Sequence, residues 1–212
     1  MRGSNLRRAG VLATLAALFG AAAPVSAYEE PHYSVERAYE GFELRRYAPQ
    51  LVVETTVRGE FDAARNAAFR RLFRYISGAN RPGEKIAMTV PVTSARGEKI
   101  AMTVPVTSRD DAEGTVMRFV VPSRFTADTV PQPADPTVTV RALPARTIAA
   151  RRYSGRATRE NYERELAQLR ARLAATGMVP VGEPAFAVYN GPFTPWFMRR
   201  NEVLIEVRPP AQ

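Results

Sequence analysis

The feature that most constrains this chain is an order of elements that occurs twice. From Tyr33 to Arg58 short apolar runs alternate with polar residues, broken by Gly41 and Ala48-Pro49, which reads as strands and turns. The period then lengthens. Phe61, Ala64, Ala68, Leu72, Tyr75 and Ile76 recur at helical spacing, which predicts a helix over Asp62–Ser77 that stops at Gly78. Strand patterns resume at Ile86–Thr93, Ile100–Thr107 and Val116–Val121. The second half follows the same scheme. Thr137–Leu143 and Arg146–Tyr153 read as strands joined by Pro144-Ala145. Thr158 caps a helix that runs to about Thr176, with Tyr162, Leu166, Leu169 and Leu173 on its apolar stripe and Gly177 as its stop. Ala185–Tyr189 and Glu202–Val207 finish as strands. Strand–strand–helix–strand–strand, twice, predicts an α+β fold: an antiparallel sheet or barrel with two helices packed on it. The halves span about 28–128 and 129–212 of a single domain, with the proline-rich Thr129–Pro136 as the joint.

One repeat is exact. Gly83-Glu84-Lys85-Ile86-Ala87-Met88-Thr89-Val90-Pro91-Val92-Thr93-Ser94 recurs from Gly97 to Ser108. The offset is even, so both copies keep Ile, Met, Val and Val on one face. A local duplication absorbed by one strand pair is the favoured reading; a doubled binding element is the alternative. Pro91 and Pro105 lack a donor and belong at an edge or bulge.

Residues 1–27 read as a secretory signal. Arg2, Arg7 and Arg8 precede an apolar run from Ala9 to Ala23, Pro24 breaks it, and Val25-Ser26-Ala27 offers a cleavage site. The run falls short of the roughly 20 residues that span a bilayer. The expected mature chain is therefore periplasmic or secreted, without a membrane anchor; a monomer is expected as a separate matter.

Composition removes whole classes of chemistry. The 212 residues contain no cysteine and one histidine, against thiolate nucleophiles, cysteine-bound metals and serine–histidine triads. The net charge is +9, three units of it from the signal segment. The remaining arginines are spread along the chain rather than gathered on one element, so no nucleic-acid partner is expected. No spacing defines a catalytic constellation.

Several separate stretches, in order, resemble the SOUL haem-binding family. They are Phe42-Glu43-Leu44-Arg45-Arg46-Tyr47, Tyr75-Ile76-Ser77-Gly78-Ala79-Asn80, Ile86-Ala87-Met88-Thr89-Val90-Pro91-Val92 and Arg199-Arg200-Asn201-Glu202-Val203. The resemblance implies a pseudo-twofold antiparallel β-barrel flanked by two α-helices, in agreement with the two halves, a fold shared with effector-binding domains of bacterial regulators. It also implies haem or a related tetrapyrrole as ligand, lying against the first helix and the loop before the last strand. On that helix it points to Asn66, Phe69, Arg70, Phe73 and Arg74.

The helical wheel bears on the same residues. Phe73 projects outside the core stripe, Phe69 sits at its margin, and Arg70 and Arg74 lie further round. A Phe pair beside guanidinium groups suits an apolar disc with two carboxylates; a Phe73 packed under a loop is the alternative. The loop Tyr189–Met198 carries Phe193, Trp196, Phe197 and Met198. It either covers a ligand or folds back to plug the barrel. For iron, His32 reads as an incidental terminal residue and Met198 as a gap-filler, so the metal ligand is unknown and weak or no ligation is expected. An exported haem carrier or buffer is the leading function. A tetrapyrrole-modifying enzyme, or an effector-binding module for amphipathic ligands, is the alternative.

Overall fold

The computed structural model describes residues 28–81 and 97–208. The expected signal segment, the first copy of the repeat and its strand at Ile86–Thr93 lie outside the described residues. In chain order the elements are β1 (Tyr33–Tyr39), β2 (Phe42–Tyr47), β3 (Gln50–Val57), α1 (Phe61–Ile76), β4 (Asn80–Arg81), β5 (Val106–Asp111) and β6 (Gly114–Val120). After them come β7 (Gln132–Pro133), β8 (Val138–Leu143), β9 (Arg146–Tyr153), α2 (Arg159–Ala174), β10 (Val179–Pro180), β11 (Ala185–Val188) and β12 (Asn201–Arg208).

The strand order makes the twofold relation explicit. The main sheet runs β1-β2-β9-β12-β11-β5-β6-β3-β8. Setting aside the edge strand β1 and the short β10, which pairs with β12, each half supplies four strands among the described residues: β2, β3, β5 and β6, then β8, β9, β11 and β12. Read from either end, their succession is the same, so the pseudo-twofold axis falls between β5 and β11, which pair antiparallel. The sheet curls into a half-barrel. This is the barrel-like α+β fold that the resemblance implies, with β1 and β8 at the two ends of the path among the described residues.

Each helix buries its stripe on the strands beneath it. Ala68, Leu72, Tyr75 and Ile76 of α1 pack with Val53, Met117, Phe119 and Val138. Leu166, Leu169 and Leu173 of α2 pack with Ala149, Phe186, Val203 and Ile205. Thr158 is the N-cap of α2, its Oγ1 accepting from the Asn161 amide at 3.3 Å. At the other end of α1, Gly78 takes a φ of 114°, open to glycine, and turns the chain out of the helix.

One expected strand is shorter. The pattern predicted Ile100–Thr107, but pairing in β5 begins at Val106. Pro105 has no amide to give a ladder, and the residues before it find other partners. The Ile100 amide donates to Ile76 O at 2.8 Å and the Val104 amide to Glu29 O at 3.0 Å. This segment is therefore held by the end of α1, by Glu29 and by the Thr103 hydroxyl on Val120 O rather than by ladder bonds of β5.

Candidate haem cleft

Along α1 the buried stripe is bordered by a second row, Asp62, Arg65, Asn66, Phe69 and Phe73, at helical spacing. These side chains form one wall of a cleft of about 480 Å³. Opposite them stand Met102, Val104 and Val106 from the second copy of the repeat, Met117 of β6, and Tyr189–Pro192 after β11. The volume falls in the range of small-molecule sites, and the lining is mainly apolar with a few polar groups.

Phe69 and Phe73 stack with ring centres 5.9 Å apart, and Phe69 also leans on the core ring of Phe119 at 5.4 Å. That anchor leaves Phe69 38% and Phe73 49% exposed. Arg65 lies one turn from Phe69 on the same row. Its Nε is buried with no hydrogen-bond partner, and its Nη1 reaches only the Ala157 carbonyl, at 3.4 Å. The guanidinium sits 4.7 Å from the ring centre of Phe186 and 5.1 Å from that of Phe61. Burial pushes its pKa down, with Asp62 opposing from a distance. Among the described residues no carboxylate pairs with it. A half-buried guanidinium with no ion-pair partner among the described residues thus borders an apolar cleft.

The structure brings Asn66, Phe69 and Phe73 together in this cleft, with the start of the loop. It places the other expected residues elsewhere. Arg70 and Arg74 are exposed on the far flank of the Phe pair, where they border a separate shallow hollow with Arg71. Phe193, Trp196, Phe197 and Met198 are not part of the cleft wall, which ends at Pro192. Phe193 is 98% and Trp196 54% exposed. The reason is a staple: Arg199 donates from Nε to Thr194 O and from Nη2 to Pro192 O, both at 2.8 Å, while Trp196 O accepts from the Gly155 amide. This holds the loop tip turned outward, with Trp196 edge-on to Phe197. It neither plugs the sheet nor closes over the cleft.

Sequence reasoning missed Arg65, Met102 and Met117. Arg65 was legible, because Arg65, Phe69 and Phe73 stand at i, i+4 and i+8. Met102, Val104 and Val106 lie on the Ile-Met-Val-Val face of the repeat, so their sharing a face was foreseeable, though not what they face. His32 is exposed and not in the cleft.

Behind the cleft wall lies a buried charge network. Glu202 accepts from Arg45, from Arg200 Nε at 3.0 Å and from the Tyr189 hydroxyl at 2.7 Å. Burial alone would raise its pKa, but these bonds outweigh it and hold the carboxyl below its usual range. Burial, reinforced by Glu202, pushes the Tyr189 phenol up. Tyr189, which lines the cleft, is thereby fixed as a neutral donor to the network.

Fold and cleft together define a class: a pseudo-twofold α+β domain with an apolar cleft of small-molecule size beside its first helix. The chain belongs to the SOUL haem-binding family, whose sequence profile, described as "SOUL heme-binding protein", matches residues 28–206. It is 30% identical over 176 residues to heme-binding protein 2 of Homo sapiens, covering 81% of this chain and 80% of that one. It is 28% identical over 168 residues to heme-binding protein 1 of Bos taurus, covering 79% and 80%. Among solved structures it resembles the EcmrR C-terminal domain, with a TM-score of 0.56 at 11% identity over 84% of this chain and 98% of that one. That likeness concerns the fold alone.

Proposed function

We propose that this protein is an exported carrier or buffer of haem or a related tetrapyrrole, acting as a monomer, with the ring in the cleft between α1 and Tyr189–Pro192. The observation that carries the reading is Arg65, a half-buried guanidinium with its Nε buried and no ion-pair partner among the described residues, in a cleft walled by Phe69 and Phe73. These residues fit a flat apolar ring that bears carboxylates. In this reading the rings of Phe69 and Phe73 pack on the ligand's face, and Arg65 donates to one propionate. Arg70 and Arg74, at the outer flank, take the other. Met102 and Met117 are the sulfur atoms in the lining. Iron ligation by the protein is weak or absent, and packing supplies the affinity. Phe193, Trp196, Phe197 and Met198 would reach the ring's outer face only if the loop tip swings inward. Asp62 is the single carboxylate in the lining among the described residues, so binding is favoured over acid–base turnover. Export rests on residues 1–27 as a signal segment.

The test is a titration of the protein with haemin, followed at the Soret band. A saturable shift is expected. Covering one ring is worth about 1.5–3 kcal/mol, so Phe73→Ala should weaken binding roughly tenfold to a hundredfold. Arg65→Gln should weaken it as well, and more at low salt than at high salt. Absence of a saturable shift, or a shift indifferent to both substitutions, overturns the proposal. Trp196→Ala reports separately on the loop: a loss of affinity shows that it closes over the ring.

A further inference from the structure

The opposite face of the sheet holds a second cavity. Alternation along β5 and β6 turns Val106 and Met117 toward the haem cleft and Thr107 and Arg118 the other way. These, with strands from both halves, enclose about 180 Å³ inside the half-barrel. Its floor is apolar, with Val52, Val120, Ile148 and Leu204. Two donors face this space without acceptors. Gln50 Nε2 and Arg146 Nε are both buried and unpartnered.

Their positions are not independent. Gln50 opens β3 after the Ala48-Pro49 turn, and Arg146 opens β9 after the Pro144-Ala145 turn. β3 and β9 are equivalent strands under the pseudo-twofold, so the same position in each half presents a bare donor to one pocket. Arg118, by contrast, is neutralised by Glu54 at 2.7 Å, and Glu54 also receives Arg141 at 3.2 Å. Glu183 and Glu206 border the pocket too. Neither forms an ion pair with Arg146 among the described residues. Burial disfavours the charge on Arg146, Glu206 favours it through space, and Arg118 and Arg109 oppose it.

We propose that this concave pocket is a second ligand site, which takes a small amphipathic carboxylate. Its acid group accepts from Arg146 and Gln50, one donor from each half, and its apolar body rests on Val52, Val120, Ile148 and Leu204. A carboxylate offers two acceptor oxygens, which is what two converging donors require. The pocket is too small for a tetrapyrrole, so the site is distinct from the haem cleft and stands whether or not the haem reading holds.

The experiment is calorimetric titration of the full-length protein with benzoate, with benzamide as the neutral isostere. Saturable benzoate binding is expected, weakened about tenfold or more in Arg146→Gln, because a hydrogen bond to a charged group is lost. Benzamide should bind far more weakly, and Phe73→Ala, on the other face, should leave benzoate binding unchanged. Should Arg146→Gln fail to fold, Gln50→Leu serves in its place, with a smaller loss of affinity expected. No saturation by benzoate, equal binding of benzamide, or undiminished binding by the folded variant overturns the proposal.

Discussion

The Arg45 guanidinium grips both oxygens of Glu202, at 2.8 Å from Nη1 and 3.2 Å from Nη2, with both side chains almost completely buried. This fork joins β2 of the first half to β12 of the second across β9, which lies between them. Arg200 and Tyr189 complete the shell of the carboxylate, and Glu30 and Glu43 balance the two arginines from outside.

Removing one charge from this network strands the others. Glu202→Gln leaves Arg45 buried without its main counter-ion, and loss of one partner of a buried pair typically costs about 3–5 kcal/mol. Urea denaturation of the variant should show a midpoint lowered accordingly. An unchanged midpoint would mean that the network contributes no stability.

The same carboxylate dictates how stability responds to acid. Its folded-state pKa is held below the ordinary 4.5, so its contribution is fully present above that value. It is lost as pH falls through the lower, folded-state value. Thermal unfolding of the wild type should therefore weaken steeply below about pH 4.5, where the slope for Glu202→Gln is shallower. Parallel slopes would assign the acid sensitivity to other groups.

The turn after α1 admits no side chain at Gly97. A Cβ there would run into the carbonyl oxygen of Gly78, and both are backbone held by Asn80, whose amide donates to Tyr75 O and Glu98 O at 2.8 Å. Gly97→Ala should destabilise the fold by about 1–3 kcal/mol, the usual cost of overpacking. Because Met102 and Val104 follow directly, it should also weaken haemin binding. Gly191→Ala, with nothing within 4 Å of the added methyl, is the control that should leave the melting temperature unchanged.

How much of this was readable in advance differs by element. α1 and α2 start and stop within two residues of their expected limits, because stripe, cap and terminal glycine are all local signals. Val106 shows the reverse. The alternation of the repeat was correct, yet pairing starts six residues later than expected, because Ile100 is claimed by the end of α1 and Pro105 cannot donate. The site divides in the same way. Phe69 and Phe73 stood out on the wheel as apolar residues off the core stripe, and both line the cleft. Trp196 was conspicuous by composition, but its direction depends on Arg199, whose bonds to two carbonyls no pattern encodes.

The sequence by itself therefore determined the period of each element, the doubled order of strands and helices, and which side chains had no place in the core. Those follow from local sterics and from the burial that each stripe demands. The open edge of the half-barrel, the pairing of Arg45 with Glu202 and the isolation of Arg65 were decided only in three dimensions. They depend on which distant groups the folded chain brings within hydrogen-bonding range, and on which charges it leaves without one.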